Sequence, residues 1–572
     1  MNISNQQIAD IFNELADLIE IEGESYYRAR AYRNAARLIE EIPLSMALMV
    51  TEHKDLTVFP GIGQAIAGKI KKIVMTGQLP QLLKEEKKLP AVLSDLTRVP
   101  GLGPRKIKAM YDAYQFQTLH ELRSLLSSGH IAALRGFSEK SSAAILKSLD
   151  RISVSPKRLY LIKAEIIVKR LLDYLEKDAN IFQAEAAGSY RRRQETVGDI
   201  DIVAAARNPS AAIDYFVNYP EVSKIIARGT TRASLVLWTG IQVDFRVVGK
   251  ADYGAALYHF TGSKAHNIAL RALAIKKDLK INEYGIFRHE KRLAGKTETE
   301  LLRQLDLPYI EPELRENTGE IVSALENRLP HLIQLEDIRG DLHCHTNSTD
   351  GKYPLEAMVA AAHKKGYEYL AITDHSQRLA MVNGLDKARL KKQIELIEHL
   401  NAQLTQFTIL KSIEVDILED GSLDLPDDIL KELDLTVCSI HSKFNLSSDK
   451  QTERIIRAMD NPYFNILGHA TGRLLNHREP YQLDMEKIIQ AAADRHCILE
   501  INAQPSRLDI NDNYARLAKS KGVKLAISSD AHSIKQLNLL RFGVFQARRG
   551  WIEAKDVINT RSLKELRKLL VR

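Results

Sequence analysis

Residues 188–203 read Gly188-Ser189-Tyr190-Arg191-Arg192-Arg193-Gln194-Glu195-Thr196-Val197-Gly198-Asp199-Ile200-Asp201-Ile202-Val203. A Gly-Ser turn and an arginine cluster precede an Asp-x-Asp doublet on an apolar run. Side chains alternate along a strand, so Asp199 and Asp201 share one face. Two adjacent carboxylates are poor core material but good ligands for divalent cations. The turn and the arginines can hold a triphosphate against such cations. On its own, the stretch points to nucleotidyl transfer.

Two-metal phosphoryl transfer calls for a third carboxylate on a neighbouring strand. The run Gln242-Val243-Asp244-Phe245-Arg246-Val247-Val248 offers Asp244. An aspartate in such a run is either a metal ligand or the ion-pair partner of Arg246 on the same face. The Asp-x-Asp element upstream favours the metal. Strands are expected near 184–188, 199–206, 234–238 and 241–248.

Upstream lies a repeat. Val58-Phe59-Pro60-Gly61-Ile62-Gly63 recurs as Arg98-Val99-Pro100-Gly101-Leu102-Gly103, each opening an amphipathic helix. Glycines let a ligand approach the backbone, and the helix N-terminus behind them presents free N–H groups. Phosphate suits that site. Lys69, Lys71 and Lys72 follow the first copy, Arg105, Lys106 and Lys108 the second. The paired turns resemble helix-hairpin-helix motifs, which implies Gly61, Gly63, Gly101, Gly103 and Arg105 as DNA-backbone contacts, and Leu134-Arg135-Gly136-Phe137 reads as a degenerate third copy. Helix 26–37, with Arg28, Arg30, Arg33 and Arg37 among tyrosines, is either a solvated face or part of the same surface.

The last third of the chain alternates short apolar strands with amphipathic helices, the pattern of a parallel α/β barrel. His343 and His345 flank Cys344, and Asp350 follows. His375, Glu414, His441, His469, Asp530 and His532 sit at or just beyond predicted strands, near 369–373, 408–413, 435–439, 498–501 and 524–528. Barrels assemble their active sites at that end. So many imidazoles and carboxylates there call for metal, and the mixture suits Mn²⁺, Zn²⁺ or Fe²⁺ better than Mg²⁺ alone. Such a cluster activates water and clamps a phosphate, as phosphoester hydrolysis requires. Cys344 alternates away from both histidines and belongs to the core. Arg473, close after His469, is either a phosphate contact or a surface arginine.

The 572 residues exceed what one core supports. The expected division is a helical domain at 1–85, a second helix-hairpin-helix domain at 86–155, a mixed helix-and-strand unit at 156–250, a unit of helices with short strands at 251–317, a linker at 318–338 and a metal-dependent phosphoesterase at 339–572. A net charge of +8 favours a polyanionic partner. No leader and no run of about 18 apolar residues is visible, and the three cysteines are scattered. A reduced, cytoplasmic, monomeric protein without a membrane partner is expected.

GSYRRRQETVGDIDIV, QVDFRVV, FTGSKAHNIALR and INEY, together with the Pro-Gly-x-Gly repeats, resemble the family X DNA polymerases, the polymerase-β-like group, over about residues 1–317. The C-terminal ligand set resembles the PHP (polymerase and histidinol phosphatase) domain, a distorted (β/α)7 barrel. The resemblance implies a multidomain α+β and α/β protein with a mixed-sheet nucleotidyltransferase palm at 156–250 and a thumb at 251–317. It implies Mg²⁺ or Mn²⁺ on Asp199, Asp201 and Asp244, with Gly188, Ser189 and Arg192 at the incoming triphosphate. Phe260, Gly262 and Ser263 would line the nucleotide pocket. Asn267 would lie near the base or sugar, Arg271 on the template side, and Asn282-Glu283-Tyr284 in the thumb. His259 departs from the family's tyrosine, which helps exclude ribonucleotides. Lys69 stands where some relatives carry a Schiff-base lysine that removes a 5′-deoxyribose phosphate, and is equally placed for a plain phosphate contact. In the PHP half, up to three metals are implied: one on His343, His345, Glu414 and Asp530, a second on Glu414, His441 and His469, and a third on Asp350, His375 and His532. The implied activity is gap filling with dNTPs on gapped or nicked DNA in base excision repair, coupled to a 3′→5′ exonuclease, with abasic sites or 3′-phosphates as further targets. The alternatives are a nuclease whose polymerase half only binds DNA, and a DNA-binding scaffold.

Overall fold

The computed structural model describes residues 5–571 apart from 24–25, 42–45, 52–53, 60, 77–78, 80, 83–84, 86–92, 94–95, 97–101, 135, 144 and 147–157. Gly101, Pro60, Pro100, Arg135 and residues 153–157 lie outside the described residues. The chain forms two compact units, divided after Pro156.

The first unit is helical. Ile8, Phe12, Leu15 and Ile19 recur at helical spacing on Asn5–Glu22 and are buried with Ala29 and Ile39 of the helix Tyr26–Glu41 and Ile70 and Ile73 of the helix Gln64–Thr76. On the arginine-rich helix, Arg33 is tied to Asp17 and Glu20, so that arginine serves the fold. The first Pro-Gly-x-Gly turn has a 3₁₀ helix at Leu56–Val58, Gly61 at φ +100°, and an Ile62 N–H donating to Phe59 O at 3.0 Å. The third copy repeats that backbone. Its 3₁₀ helix is Ile131–Ala133, Gly136 has φ +92°, and Phe137 N–H donates to Leu134 O at 3.0 Å. In the second copy, Gly103 caps the helix Pro104–Tyr114, with proline at its first position.

The second unit holds a five-stranded mixed sheet and a seven-stranded parallel one. The mixed sheet runs in the order Ile181–Ala186, Asp199–Ala206, Gln242–Val248, Arg232–Leu237, Val222–Arg228. Its central pair is parallel, and Asp201 lies opposite Asp244. Helices Leu161–Leu175 and Pro209–Val217 contribute Leu171, Ile213 and Phe216 to its core. The first strand stops at Ala186, two residues short of the sequence expectation. Gly188 instead opens the short helix Gly188–Arg191. Residues 253–303 supply three helices and a three-stranded hairpin sheet.

The parallel sheet is ordered as its strands occur in the chain, from Gly340–Asp341 to Leu525–Ser528. A parallel bridge between Cys344 and Ala531 returns the last strand to the first, closing a seven-stranded barrel. Residues 318–338, expected as a linker, are built into the fold. They contain the helix Glu320–Leu325, and the Glu320 carboxylate is fully buried, accepting from Asn317 N and Thr318 N and contacting His266 at 2.5 Å. The His266 contact ties this stretch to a helix 54 residues earlier, which local composition does not reveal.

The helix Leu540–Arg549 is the joint of the unit. Leu540, Val544 and Ala547 pack into the barrel core, while Phe542 lies in the core of the mixed sheet with Phe545 against it. Trp551 just beyond packs with Leu302 and Leu314 in a third cluster. Removing a fully buried phenylalanine costs about 3–5 kcal/mol. Phe542→Ala should lower the unfolding midpoint of the unit by several degrees, as followed by circular dichroism. A midpoint within about 1 °C of wild type would contradict the shared core.

Candidate active sites

The first site lies where the two central, parallel strands of the mixed sheet begin. Asp199 and Asp201 share a face as the period of two requires, Asp199 exposed and Asp201 half-buried. Asp244 does not pair with Arg246 in the way the sequence allowed. Its carboxylate accepts from Ser234 Oγ and, at 2.9 Å, from Gln242 Nε2, while Arg246 lies over the Phe260 ring at 4.7 Å. Burial, then the charges of Asp199 and Asp244, push the Asp201 carboxyl up to about 7. Crowded carboxylates of this kind are relieved by a cation. Gly188 has φ +57°, and a Cβ there would stand 2.1 Å from Asp201 Oδ2. Only glycine lets the turn sit this close to the carboxylate.

An open cleft of about 710 Å³ is lined by Gly188, Ser189, Arg192, Asp199, Asp201, His259, Phe260, Gly262, Asn267 and Arg271, gathering nearly all the expected nucleotide contacts. Ser263 caps the next helix, accepting from His266 N at 3.2 Å. Ser189 Oγ is buried without a hydrogen-bond partner, an atom suited to a phosphate oxygen. Arg192 is aimed by two bonds, Nε to Glu316 at 3.0 Å and Nη1 to Thr261 O at 2.6 Å. Asn267 donates to His259 O at 2.7 Å. Arg271 Nη2 lies 3.4 Å from His259 Nδ1, and since a guanidinium only donates, Nδ1 is the acceptor. Burial lowers the His259 pKa further, so the ring is neutral. Asn282 lies in the strand Lys280–Asn282 of the hairpin sheet, followed by the exposed Tyr284. In the first unit, Lys69 Nζ stands 5.6 Å from the Tyr32 ring. Arg105 is mostly exposed, with Nε 3.1 Å from Glu20.

The second site lies at the C-terminal mouth of the barrel. Glu414 is its hub. Oε2 lies 2.9 Å from His375 Nδ1, 3.4 Å from His343 Nε2 and 3.6 Å from His345 Nε2, and Oε1 lies 3.0 Å from His469 Nε2 and 3.2 Å from His441 Nε2. Asp530 stands 3.2 Å from His345. Asp350 stands 3.1 Å from His532 and 3.3 Å from His375. Ligand atoms of His345, Asp350, His375 and His532 fall within 4.8 Å of one another, as do those of His343, His345 and Asp530, and of His375, Glu414 and His441. The partition differs from the expected one: His345 also joins the Asp350 group, and His375 lies between Asp350 and Glu414 and faces both. His343 Nε2, both nitrogens of His345 and His375 Nδ1 are buried without a hydrogen bond. Buried imidazole lone pairs left in this way, beside carboxylates, fit divalent metal.

The electrostatics agree. Burial alone would depress the His343 pKa, but the Glu500, Glu414 and Asp530 carboxylates outweigh it and hold it well above the ordinary value. Against the same burial, Glu414 and Asp350 hold the His375 pKa high, and His441 and His532 are raised to about 9. Conversely, burial would raise Glu414, Asp350 and Asp530, but the surrounding imidazoles take all three well below the usual range. Positive charge is therefore demanded at the centre, by protons or by metal.

Two orienting carboxylates were not singled out from the sequence. Glu500 Oε1 lies 2.7 Å from His343 Nδ1, and Oε2 accepts from His469 N at 2.6 Å. Asp416 Oδ1 lies 2.9 Å from His441 Nδ1. Each fixes an imidazole so that Nε2 faces the centre. The available signal was the one used for Asp244, a carboxylate inside an apolar strand (Ile498–Asn502). Cys344 is buried and its Sγ donates to Ala371 O, as a core residue should. Arg473 is neither surface nor phosphate contact. Its Nη2 lies 2.5 Å from Glu195 and also donates to Leu508 O, and the side chain is largely buried.

The chain is 36% identical over 571 residues, 99% of both chains, to the DNA polymerase/3′-5′ exonuclease PolX of Bacillus subtilis (strain 168). It belongs to the bacterial family X DNA polymerases that carry a C-terminal PHP domain. Residues 3–79 match the helix-hairpin-helix domain, 93–151 the SAM-like helix-hairpin-helix tandem, 256–316 the DNA polymerase beta thumb and 341–504 the PHP domain. The family X likeness reaches DNA polymerase lambda of Arabidopsis thaliana, 26% identical over 349 residues, 54% of this chain and 62% of the plant protein. A 204-residue stretch, 34% of this chain, is 36% identical to a probable phosphatase of Thermoanaerobacter sp. (strain X514), covering 78% of it. Among the described residues no helix is long and apolar enough to cross a membrane.

Two outcomes follow for the first site of this family X chain. Gly188→Ala should drive Asp201 out of place and reduce nucleotide insertion by about 100-fold or more, a loss of roughly 3 kcal/mol in the transition state; insertion within about threefold of wild type would contradict the close approach. Protons compete with metal for a carboxyl that titrates near 7. Mn²⁺ affinity of the Asp199–Asp201–Asp244 site, read by paramagnetic resonance in a His343→Ala/His345→Ala background, should therefore rise between pH 6 and 8; a flat profile would refute the crowding.

Proposed function

We propose that this chain is a template-directed DNA polymerase that fills short gaps, as in base excision repair, and that its PHP barrel is a 3′→5′ exonuclease working on the same DNA. The observation that carries the reading is the union of two built centres in one chain: carboxylates crowded beneath a Gly-Ser-arginine turn, and an imidazole–carboxylate cluster around Glu414. Gly188, Ser189 and Arg192 receive the triphosphate. Asp199, Asp201 and Asp244 hold Mg²⁺ or Mn²⁺, which when bound neutralises the phosphoryl oxygens. His259, Phe260, Gly262 and Ser263 wall the nucleotide, with Asn267 and Arg271 toward the base and template. The turns at Gly61, Gly63, Gly101 and Gly103, with Arg105, grip the DNA backbone without reading sequence.

In the barrel, His343, His345 and Asp530, then Glu414 with His441 and His469, then Asp350 and His532, would hold up to three Mn²⁺, Zn²⁺ or Fe²⁺ ions, with His375 facing both Asp350 and Glu414. Glu500 and Asp416 aim the imidazoles, and the clustered donors seat a phosphodiester for hydrolysis. The likeness of this segment to probable phosphatases favours a second reading, phosphomonoester hydrolysis at blocked 3′ ends. Action at abasic sites, and removal of a 5′-deoxyribose phosphate through Lys69, belong to the same repair role. Borohydride trapping on an incised abasic substrate, lost in Lys69→Ala, tests the latter.

Asp199→Ala/Asp201→Ala should abolish primer extension and spare 3′-end hydrolysis. His343→Ala/His345→Ala should do the reverse. If either double substitution removed both activities in a folded protein, this division of labour would be wrong. A neutral imidazole in place of a phenol at position 259 weakens exclusion of the ribose 2′-hydroxyl. The dNTP/rNTP insertion ratio should therefore rise in His259→Tyr, and an unchanged ratio would contradict that role.

A further inference from the structure

The turn that carries Arg192 is held by the barrel, residue by residue. Arg193, at φ +54°, lays its guanidinium 4.5 Å from the ring of Phe545. Glu195 Oε1 accepts from Gln546 Nε2 at 2.7 Å and from Arg473 Nη2 at 2.5 Å. Arg192 O accepts from Arg549 Nη1 at 3.0 Å. Phe545, Gln546 and Arg549 lie within one turn of a single helix, Leu540–Arg549. Arg549 reaches further. Its Nη1 also donates to Glu316 Oε1 at 3.1 Å, the oxygen that accepts from Arg192 Nε at 3.0 Å and Gln194 Nε2 at 2.5 Å, and its Nη2 is anchored on Asp512 at 2.6 Å. Arg549 is 9% exposed, so these bonds are shielded from water.

We infer that Arg549 and Gln546 of the barrel are positioning residues for nucleotide binding by the polymerase half. Arg549 fixes Glu316, Glu316 fixes the Arg192 guanidinium, and Gln546 with Arg473 fixes the far end of the turn at Glu195. Nη2 of Arg192 makes none of these bonds, and Arg192 lines the cleft. An arginine held at Nε, Nη1 and its own carbonyl offers that nitrogen to a triphosphate at little cost in side-chain entropy. The function of the contact is affinity for the incoming nucleotide, and its loss falls on KM rather than on the chemical step. Arg473 lies four residues from His469, so the same clasp gives the barrel's metal cluster a short covalent path to the polymerase turn.

The inference rests on the polymerase reading above and is separable from it. Single-nucleotide insertion into a one-nucleotide gap is measured on the full-length chain, with 3′-end hydrolysis and thermal midpoint followed in parallel. Arg549→Met should raise the KM for dNTP about tenfold with kcat within about twofold, leaving hydrolysis at the wild-type rate, and Arg549→Lys should recover part of the loss. Gln546→Met exchanges one neutral side chain for another, so it folds even if the buried charge change does not, and should raise KM about threefold. Arg541→Met breaks the Glu165 ion pair of the same interface without touching the turn; it should lower the midpoint and leave KM unchanged. A wild-type KM in folded Arg549→Met or Gln546→Met, or a fall of kcat and hydrolysis together with KM, would overturn the inference. Absence of insertion by the wild-type chain would instead defeat the polymerase reading itself.

Discussion

Phe542 belongs to one domain by sequence and to another by packing. It projects from a helix of the barrel into the core of the mixed sheet, while Leu540, Val544 and Ala547 on the same helix complete the barrel core. Two hydrophobic cores that close on one helix cannot move independently. The polar contacts of that helix, including those to Glu195 and Glu316, are then made between fixed partners. The joint is a packing constraint first and an electrostatic one second.

Both catalytic centres solve the same problem, gathering like charges that repel. In the palm, the parallel register that sets Asp201 opposite Asp244 forces the carboxylates together, and the missing Cβ of Gly188 makes room for the turn that answers them. In the barrel, separate strands each deliver one or two ligands to the C-terminal mouth, and Glu414 shares its two oxygens among five histidines. Each centre is polarised before any ion arrives. The arrangement disfavours the metal-free protein and favours occupancy.

What could be read in the sequence were features with a period or a spacing. Asp199 and Asp201 follow the strand period, the glycine turns recur forty residues apart, and the barrel ligands fall at strand ends. What could not be read were partnerships across long separations. Arg473 and Glu195 are 278 residues apart and Arg549 and Glu316 are 233 apart, and nothing near either residue announces the other. The stretch 318–338 looked like a linker because it is charged, yet Glu320 within it is buried against His266, 54 residues earlier. Glu500 was legible in principle, since a carboxylate inside an apolar strand carries a cost that some partner must offset. The grouping of His375 was not, because it depends on which way the ring turns between two carboxylates.

The shared helix also sets an order of assembly. Glu165, on the first long helix of the mixed sheet, waits for Arg541, 376 residues later in the chain. At ribosomal speeds that interval is roughly 20 to 75 seconds. Throughout it the nascent palm has strands and carboxylates in place but an unfilled core position and an untethered arginine turn. The core of the mixed sheet and the clasp on the arginine turn are therefore completed by nearly the last segment to emerge, and a chain interrupted before Leu540 lacks both.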